Sequence, residues 1–397
     1  MKKLLALIMA LVFMISVTGC GSGGSAEPAD STESEGGTEV KEVEETEEQA
    51  AALSKDDLIG IVLPTKEESR WLNDQRYFEE IFGEAGYNYE ILFSQNNSAT
   101  EKTNVETLLS KGAKVIVLCA YDATAAAAAV NDAKSEGAVV ISYDRLIMNT
   151  DKLDYYVTFD SCSVGKAQAD YIIEQAQAAG GKGHNLYIYS GALTDNNSVL
   201  FFEGAWKALQ PYIADGTFVV RNCDKAVEYK DKNELTRDEM IEIMQTIDSE
   251  WNMAVCKSLA EAHLTAVDSD AKGDVYVLAP ADDDCCRALS DAFLADPEVS
   301  SLVITGADGV EASVQYIIDG KQSMTVYKDS QALVRGTDQI LSALVNGEQP
   351  QTDTVYNNGS MDVPSIQADV VTVTADNIAE IFFDTGIYDG SKYTGWE

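Results

Sequence analysis

Short apolar runs alternate with amphipathic helical patterns along this chain, and this alternation restricts the fold more than any other feature of the sequence. The run "LIGIVL" (58–63) is typical of a fully buried strand in a parallel sheet. The segment behind it places Phe78, Ile81 and Phe82 at helical spacing before Gly86, which predicts a helix that ends there. Such repeats fold as parallel sheets covered by helices, because each crossover between parallel strands carries a helix.

The alternation occurs in two successive series. Apolar strand patterns of the first series lie at 58–63, 89–94, 113–120 and 138–144. After "YYVTFD" (155–160), those of the second series lie at 185–191, 218–222, 274–280, 301–308 and 323–329. We therefore predict an α/β protein with two parallel-sheet units in tandem, and the length of 397 residues also favours two domains.

The amino terminus has the pattern of an export signal. Two lysines precede an apolar run that is too short to span a membrane. The run ends in "VTGC", which resembles a bacterial lipobox and predicts a signal peptide over 1–20 with lipid attached to Cys20. An ordinary cleaved signal with an incidental cysteine is the alternative. Acyl chains on Cys20 would anchor the protein to the outer face of a membrane.

An acidic segment follows the signal. Ten acidic residues lie between Glu27 and Glu48 against one lysine, so residues 21–56 predict a disordered linker. The formal net charge of the whole chain is −38, which excludes nucleic acid as a partner because nothing would offset the repulsion by phosphates.

No motif in the sequence indicates an enzyme, a cofactor or a metal. There is no glycine-rich phosphate loop, no GxSxG motif and no histidine at a strand end. The cysteines beyond the signal show no zinc spacing and cannot be paired from the sequence; they are Cys119, Cys162, Cys223, Cys256, Cys285 and Cys286. A carboxylate pair for glycoside hydrolysis is disfavoured, because Arg70, Arg145 and Lys328 at the same edge would keep the carboxylates ionised.

Polar side chains follow the predicted strands at the point where each strand ends. In open parallel sheets, ligands bind beyond the carboxyl ends of the strands. The stretches at these ends are "TKEESRW", "YDATA", "YDRL", "GALTDNN", "APADDD", "GADG" and "VYKD". Asp195 and Asp282 could be helix N-caps and nothing more, but so many polar side chains on one edge of two facing units indicate a ligand site.

The mixture of side chains suits a neutral ligand with several hydroxyl groups. Asp, Asn and Arg can each hold two neighbouring hydroxyls, and charge-assisted hydrogen bonds are the strong ones. The apolar face of a pyranose stacks on an aromatic ring, which Trp71 and Trp251 could supply, whereas Trp206 has the spacing of a core residue. The residues alone therefore favour a sugar-binding protein.

Residues 57–380 resemble the periplasmic sugar-binding proteins of ABC importers, above all the xylose-binding and multiple-sugar-binding branch. The stretches that carry the resemblance are "SRW", "ISYDRLI", "YVTFDSCSVGKAQA", "LTDNN", "LFFEGAWKALQPYIADG", "ITGADG" and "MTVYK". The resemblance implies two Rossmann-like parallel-sheet domains, joined by a three-strand hinge, with the sugar in the cleft between them. It divides the chain into an N-terminal subdomain (57–158, completed by about 327–356), a C-terminal subdomain (159–326) and a hinge segment with tail (357–397).

The resemblance also implies which residues bind the sugar. They are Arg70, Trp71, Asp144, Arg145, Asp195, Asn197, Trp251, Asp282, Asp308 and Lys328. The chain departs from the family pattern at Ala281, where the family usually has Asn, and in a longer segment near 224–250. These departures leave the sugar open between a xylose-like pentose and a related aldohexose.

The function implied is that of an extracytoplasmic solute-binding lipoprotein, which captures a monosaccharide by hinge closure and delivers it to an ABC transporter permease. We expect a monomer, anchored through Cys20 to the outer face of the cell membrane, with no catalytic activity, cofactor or metal. The alternative is a sugar-sensing binding protein for a chemoreceptor or a sensor kinase.

Overall fold

The described part of the chain forms two α/β lobes, each built from segments that are not contiguous in the sequence. The computed structural model describes residues 53–396. The predicted signal peptide, the predicted lipid attachment site Cys20 and most of the predicted linker lie outside the described residues.

The strands and helices alternate as the apolar pattern predicts. The strands are β1 (Leu58–Leu63), β2 (Asn88–Phe93), β3 (Val115–Leu118), β4 (Val139–Tyr143), β5 (Tyr155–Phe159), β6 (His184–Ile188), β7 (Phe218–Val220), β8 (Gly273–Leu278), β9 (Val299–Asp308), β10 (Met324–Lys328), β11 (Thr354–Asn357), β12 (Asp362–Ala368) and β13 (Val370–Val373). The helices are α1 (Ser69–Ala85), α2 (Ser98–Ser110), α3 (Ala127–Ser135), α4 (Ser161–Ala179), α5 (Asn196–Ala214), α6 (Asp224–Glu228), α7 (Arg237–Met244), α8 (Met253–Ala266), α9 (Asp283–Ala295), α10 (Glu311–Ile318) and α11 (Ser330–Val345). A π-helix (Ala379–Phe383) and two short 3-10 helices complete the fold.

The strands form one sheet in each lobe. The first sheet has seven strands in the order β11-β12-β5-β4-β3-β1-β2, and the second has six in the order β13-β10-β9-β8-β6-β7. Only β11 with β12 and β10 with β13 pair antiparallel among the strands of residues 53–396. The strand order reverses beside β1 in the first sheet and beside β6 in the second, and such switch points are where open α/β sheets bind ligands.

The chain passes between the lobes three times. It crosses from β5 to α4, from β10 to α11 and from β12 to β13, since each pair of neighbours belongs to different lobes. Three crossing segments and two parallel-dominated sheets confirm the predicted fold class. Strands β11 and β12 both pair into the first sheet, so the segment from Ser330 to Ala368, which returns from the second lobe, belongs to the first lobe.

The core of each lobe lies on both faces of its sheet. Phe78 and Phe82 of α1 pack edge to face on one side of the first sheet, and Gly86 ends that helix in the left-handed conformation (φ 76°). Trp206 is buried in the core of the second lobe, as its spacing predicts. In the described part of the chain, all six cysteines are free thiols.

One helix starts later than the sequence predicts. The alanine-rich pattern predicts a helix from Ala123, but α3 begins at Ala127 and turns precede it. The backbone N–H of Ala123 donates to the carbonyl oxygen of Thr194 in the second lobe (2.9 Å). The carbonyl oxygen of Ala123 accepts from the backbone N–H of Met148 (2.8 Å). The N–H of Ala127 therefore donates to Thr124 (3.3 Å), and a first α-helical hydrogen bond from Ala127 to Ala123 is not formed.

Candidate functional site

The carboxyl ends of the strands meet in one cleft between the two lobes. All ten residues predicted for the sugar site line this cleft, which has an empty volume of about 300 Å³ including its opening. The structure adds three lining residues that the site prediction did not include, namely Glu68, Phe201 and Ala281.

Arg70 lies in the cleft and forms ion pairs with three carboxylates. It is the second residue of α1, and its side chain is almost fully buried. The guanidinium lies 2.6 Å from the carboxylate of Asp144, 3.1 Å from that of Asp74 and 3.3 Å from that of Asp308. Asp308 belongs to the second lobe, so this arginine connects carboxylates of both lobes.

Trp71 contacts both the apolar core and the cleft. It is buried in the apolar cluster that contains Phe78 and Phe82, so the apolar stripe of α1 continues into this residue. It also lines the cleft, where its indole Nε1 donates to Glu68 Oε2 (2.7 Å) and the Arg145 guanidinium lies 5.1 Å from its ring. The ring is therefore both core and cleft wall.

The strand ends of Asp144 and Asp308 share an unusual backbone conformation. Both residues have positive φ angles, 62° and 99°, directly after β4 and at the end of β9. Non-glycine residues in this region cost free energy that the surrounding structure must offset, and they cluster at functional sites. The conformation turns both carboxylates into the cleft, where each is bonded to Arg70.

A second set of contacts joins the lobes beside Arg145. The Arg145 guanidinium lies 3.0 Å from the carboxylate of Asp195 in the second lobe and 3.7 Å from that of Glu68. The side-chain amide of Asn197 donates to the backbone carbonyl of Asp144 (2.8 Å). The lobes thus touch across the cleft, which is the arrangement of a closed state.

The second lobe supplies an aromatic wall and a cation. The ring of Trp251 lies edge-on to that of Phe201, and its indole nitrogen donates to Asp195 (3.3 Å). A Cβ on Gly191 would lie 2.1 Å from the Trp251 ring, so only glycine admits the ring at this place. Lys328 lies 2.7 Å from Asp308 and 5.2 Å from the centre of the Phe201 ring.

Two of the carboxylates in the cleft also cap helices. Asp195 accepts a hydrogen bond from the backbone N–H of Asn197 at the start of α5, and Asp282 accepts one from Cys285 at the start of α9. The capping role that the sequence left open is therefore real, but both residues line the cleft as well. Within residues 53–396, Asp282 forms no ion pair with a lysine or arginine, which leaves an acceptor for a ligand hydroxyl.

Burial and neighbouring charges raise the pKa of some carboxyl groups in the cleft and lower that of another. Burial raises the pKa of Glu68 to about 7, although Arg145 and the Trp71 indole act against it. Burial, together with Asp284 and Asp308, holds the pKa of Asp282 well above its usual range. Burial alone would raise the pKa of Asp144, but Arg70, Lys328 and Arg145 bring it below its ordinary value. The pKa values of Glu68 and Asp282 are therefore raised, whereas that of Asp144 is lowered by the cations around it.

The residues that the site prediction did not include carry weak local signals. Glu68 stands directly before the "SRW" motif, and Phe201 lies in a stretch that reads as a core helix. Neither spacing nor residue type distinguishes them from ordinary surface and core positions. Among residues 53–396, no cluster of histidine, cysteine and acidic side chains is arranged to hold a metal ion. None of the helices described there has the length and hydropathy that crossing a bilayer requires.

Comparison with known proteins places the chain in a family. The model of the periplasmic binding protein domain matches residues 59–349. The chain belongs to the periplasmic binding protein family. Membership in this family confirms that the chain is a substrate-binding protein and not an enzyme.

Relatives of this binding protein extend over most of its length. It is 31% identical to the multiple sugar-binding periplasmic protein SbpA of Azospirillum brasilense over 340 residues, which are 84% of this chain and 90% of the relative. It is 28% identical to the D-xylose-binding periplasmic protein of Escherichia coli over 342 residues, 86% of this chain and 94% of the relative.

A solved structure from Chloroflexus aurantiacus is also similar to this binding protein. That carbohydrate transporter solute-binding protein, in complex with D-glucose, is 52% identical with a TM-score of 0.83. The similarity covers 85% of this chain and 98% of that one. The predicted two-domain fold is thus confirmed by both the family and the architecture.

Proposed function

We propose that this binding protein captures one aldose monosaccharide between its lobes and delivers it to an ABC transporter permease. The observation that carries the proposal is the cleft itself. Arg70, Asp144 and Arg145 of one lobe meet Asp195 and Asp308 of the other around a small buried space. Charged side chains in this geometry suit a neutral ligand with hydroxyl groups on all sides.

The aromatic residues add the second half of the recognition. Trp71 from the first lobe and Trp251 with Phe201 from the second lie on the cleft wall. Apolar faces of a pyranose would pack against such rings, while its hydroxyls reach the charged groups. Because both lobes supply contacts, binding favours the closed state over the open one.

Two ligand classes remain within the proposal. Relatives include a protein named for D-xylose binding and a structure in complex with D-glucose, and the second shares more of its sequence with this chain. That difference favours an aldohexose over a pentose. Ala281 on the cleft wall leaves more space than the asparagine that is usual there, which agrees with a ligand larger than a pentose.

A panel of sugars in thermal unfolding experiments tests this proposal. A ligand that binds the folded protein stabilises it in proportion to RT ln(1 + [L]/Kd), so the sugar that the cleft accepts raises Tm most. We expect a clear increase for at least one aldohexose or aldopentose and none for an acidic amino acid at the same concentration. If no aldose raises Tm, the proposal is wrong.

The location of the protein forms part of the same proposal. An export signal that ends in a lipobox-like "VTGC" supports attachment of lipid to Cys20 and an extracytoplasmic position. Cells that express the chain should incorporate a labelled fatty acid into it, and the Cys20→Ser variant should not. Equal labelling of both proteins would contradict the lipoprotein assignment.

A further inference from the structure

The amino terminus of α1 is capped by the opposite lobe. Glu68 occupies the N-cap position, but its side chain bonds no backbone N–H of the helix. Instead, the carboxylate of Asp284 on α9 accepts from the backbone N–H of Ser69 (2.8 Å) and from its hydroxyl (3.1 Å). A carboxylate at this end of a helix is favourable, because it satisfies free N–H groups and interacts with the helix dipole.

Asp284 is itself held in place by its own lobe. Arg287, one turn further along α9, donates from Nη2 to Asp284 Oδ1, and its Nη1 donates to Ser313 Oγ (2.6 Å). Asp284 and Arg287 are both largely buried. This support fixes the carboxylate before the first lobe arrives, so little conformational entropy is lost when the contact forms.

Asp284 does not line the cleft, but its contact with Ser69 holds the end of α1 from which two cleft residues project. Asp284 is absent from the residues around the cleft, whereas Arg70 and Trp71 follow Ser69 directly and are part of it. We propose that Asp284 is a positioning residue that stabilises the closed state and aligns the start of α1 for ligand binding. The expected effect of Asp284 on sugar affinity rests on the proposed function, whereas its expected effect on lobe closure does not.

The expected size of the effect follows from the closing equilibrium. Apparent affinity falls in proportion to the fraction of closed molecules, so a lost interlobe contact weakens binding without any lost ligand contact. Removal of an N-cap acceptor corresponds to about a two- to thirty-fold change in an equilibrium constant. We therefore expect Asp284→Ala to weaken sugar binding about two- to thirty-fold.

Two measurements on the same variants test the proposal. Calorimetry gives Kd for the aldose that most stabilises the parent, and small-angle X-ray scattering gives the radius of gyration without sugar. We expect Asp284→Ala to bind more weakly and to have a larger radius of gyration than the parent. Asp284→Asn retains an acceptor for the Ser69 N–H and should lie between the two; it also serves if the alanine variant does not fold.

A matched control separates the interlobe contact from a general loss of charge. Asp170 is an exposed carboxylate on α4 that pairs with Lys166, so Asp170→Ala removes the same charge far from Ser69. We expect this control to match the parent in both measurements. Ser69→Ala should weaken binding less than Asp284→Ala, and adding it to Asp284→Ala should change nothing further, because the two act through one contact.

The outcomes distinguish the two proposals. If the parent binds no aldose, the proposed function is wrong, and the radii of gyration still decide on the role of Asp284. If Asp284→Ala has the Kd and the radius of gyration of Asp170→Ala, the positioning role is wrong although sugar binding stands.

Discussion

Arg145 is the residue whose removal should affect ligand binding most clearly. Its guanidinium faces Asp195 and Glu68, and all three are buried. Arg145→Ala leaves buried carboxylates without a partner and should cost about 2–4 kcal/mol of binding free energy. Calorimetry with the preferred sugar measures the change. Arg76→Ala is the matched control, because Arg76 is exposed on α1 and stacks on Tyr77 outside the cleft.

Affinity within a factor of two of the parent would show that Arg145 contributes nothing to ligand binding. A loss in Arg76→Ala of the same size would attribute the effect to net charge and contradict the site assignment.

Among single residues, the sequence predicts which strand-end residues line the cleft, but it does not predict the residues whose role depends on contacts between the two lobes. Asp144 and Asp308 lie at the carboxyl ends of apolar runs. Because ligands bind at that edge of a parallel sheet, the sequence indicates that both residues lie in the cleft. Asp284 and Glu68 each bond a neighbour three residues along the chain. Their contacts with Ser69 and Arg145 join elements far apart in the sequence, and no local pattern specifies such pairs. Trp71 is ambiguous for a different reason, since one ring serves the core and the cleft together.

The crossing of α4 and α5 is the element contact most sensitive to a single methyl group. A Cβ on Gly165 would lie 1.8 Å from the carbonyl oxygen of Phe201. Since backbone atoms cannot move aside as side chains do, Gly165→Ala should separate the helices and destabilise the fold by about 1–3 kcal/mol. Gly83 lies in α1 with no atom within 4 Å of a Cβ, so Gly83→Ala should instead stabilise by about 0.5–1 kcal/mol.

Urea denaturation of the two variants and the parent measures both changes. A Gly165→Ala protein as stable as Gly83→Ala would show that the helices do not approach as closely as described.

Apolar periodicity predicts the order and type of the helices and strands well, but it predicts their first and last residues less well. Strand β1 has the predicted extent, and α1 ends at Gly86 as predicted, because a continuous apolar run and a glycine define these positions. Helix α1 begins at Ser69, three residues before the stretch from Leu72 that its pattern predicts. Helix α3 is shorter than its alanine-rich pattern predicts, since the carbonyl oxygen of Ala123 accepts from Met148 and not from the N–H of Ala127. A tertiary hydrogen bond outweighs helix propensity there, and propensity alone cannot reveal it.

The whole molecule should be less stable at neutral pH than in mild acid. Burial raises the pKa of Glu68, Glu101 and Asp283 to about 7 each, from ordinary values of 4.5 and 3.8. The folded protein therefore binds more protons than the unfolded chain between about pH 4.5 and pH 7. The free energy of unfolding falls as pH rises through this window and levels off above it.

Urea denaturation at pH 5, 6, 7 and 8 measures this dependence. Glu101→Gln keeps an acceptor for the Tyr121 N–H and removes one titrating group, so its slope should be shallower than that of the parent. The lowered pKa of Asp144 acts below this window, where stability is lost as its carboxylate becomes protonated. Stability that increases from pH 5 to pH 7 would contradict the assignment of these buried acids.

The central claim at this scale is that a sugar is held between two lobes. The most direct test is the crystal structure of the protein grown with the aldose that raises Tm most. We predict one sugar in the cleft, hydrogen-bonded to Arg145 or Asp144 of the first lobe and to Asp195 or Asp308 of the second, with its apolar face against a tryptophan ring. A sugar bound elsewhere, or in contact with one lobe only, would contradict the account.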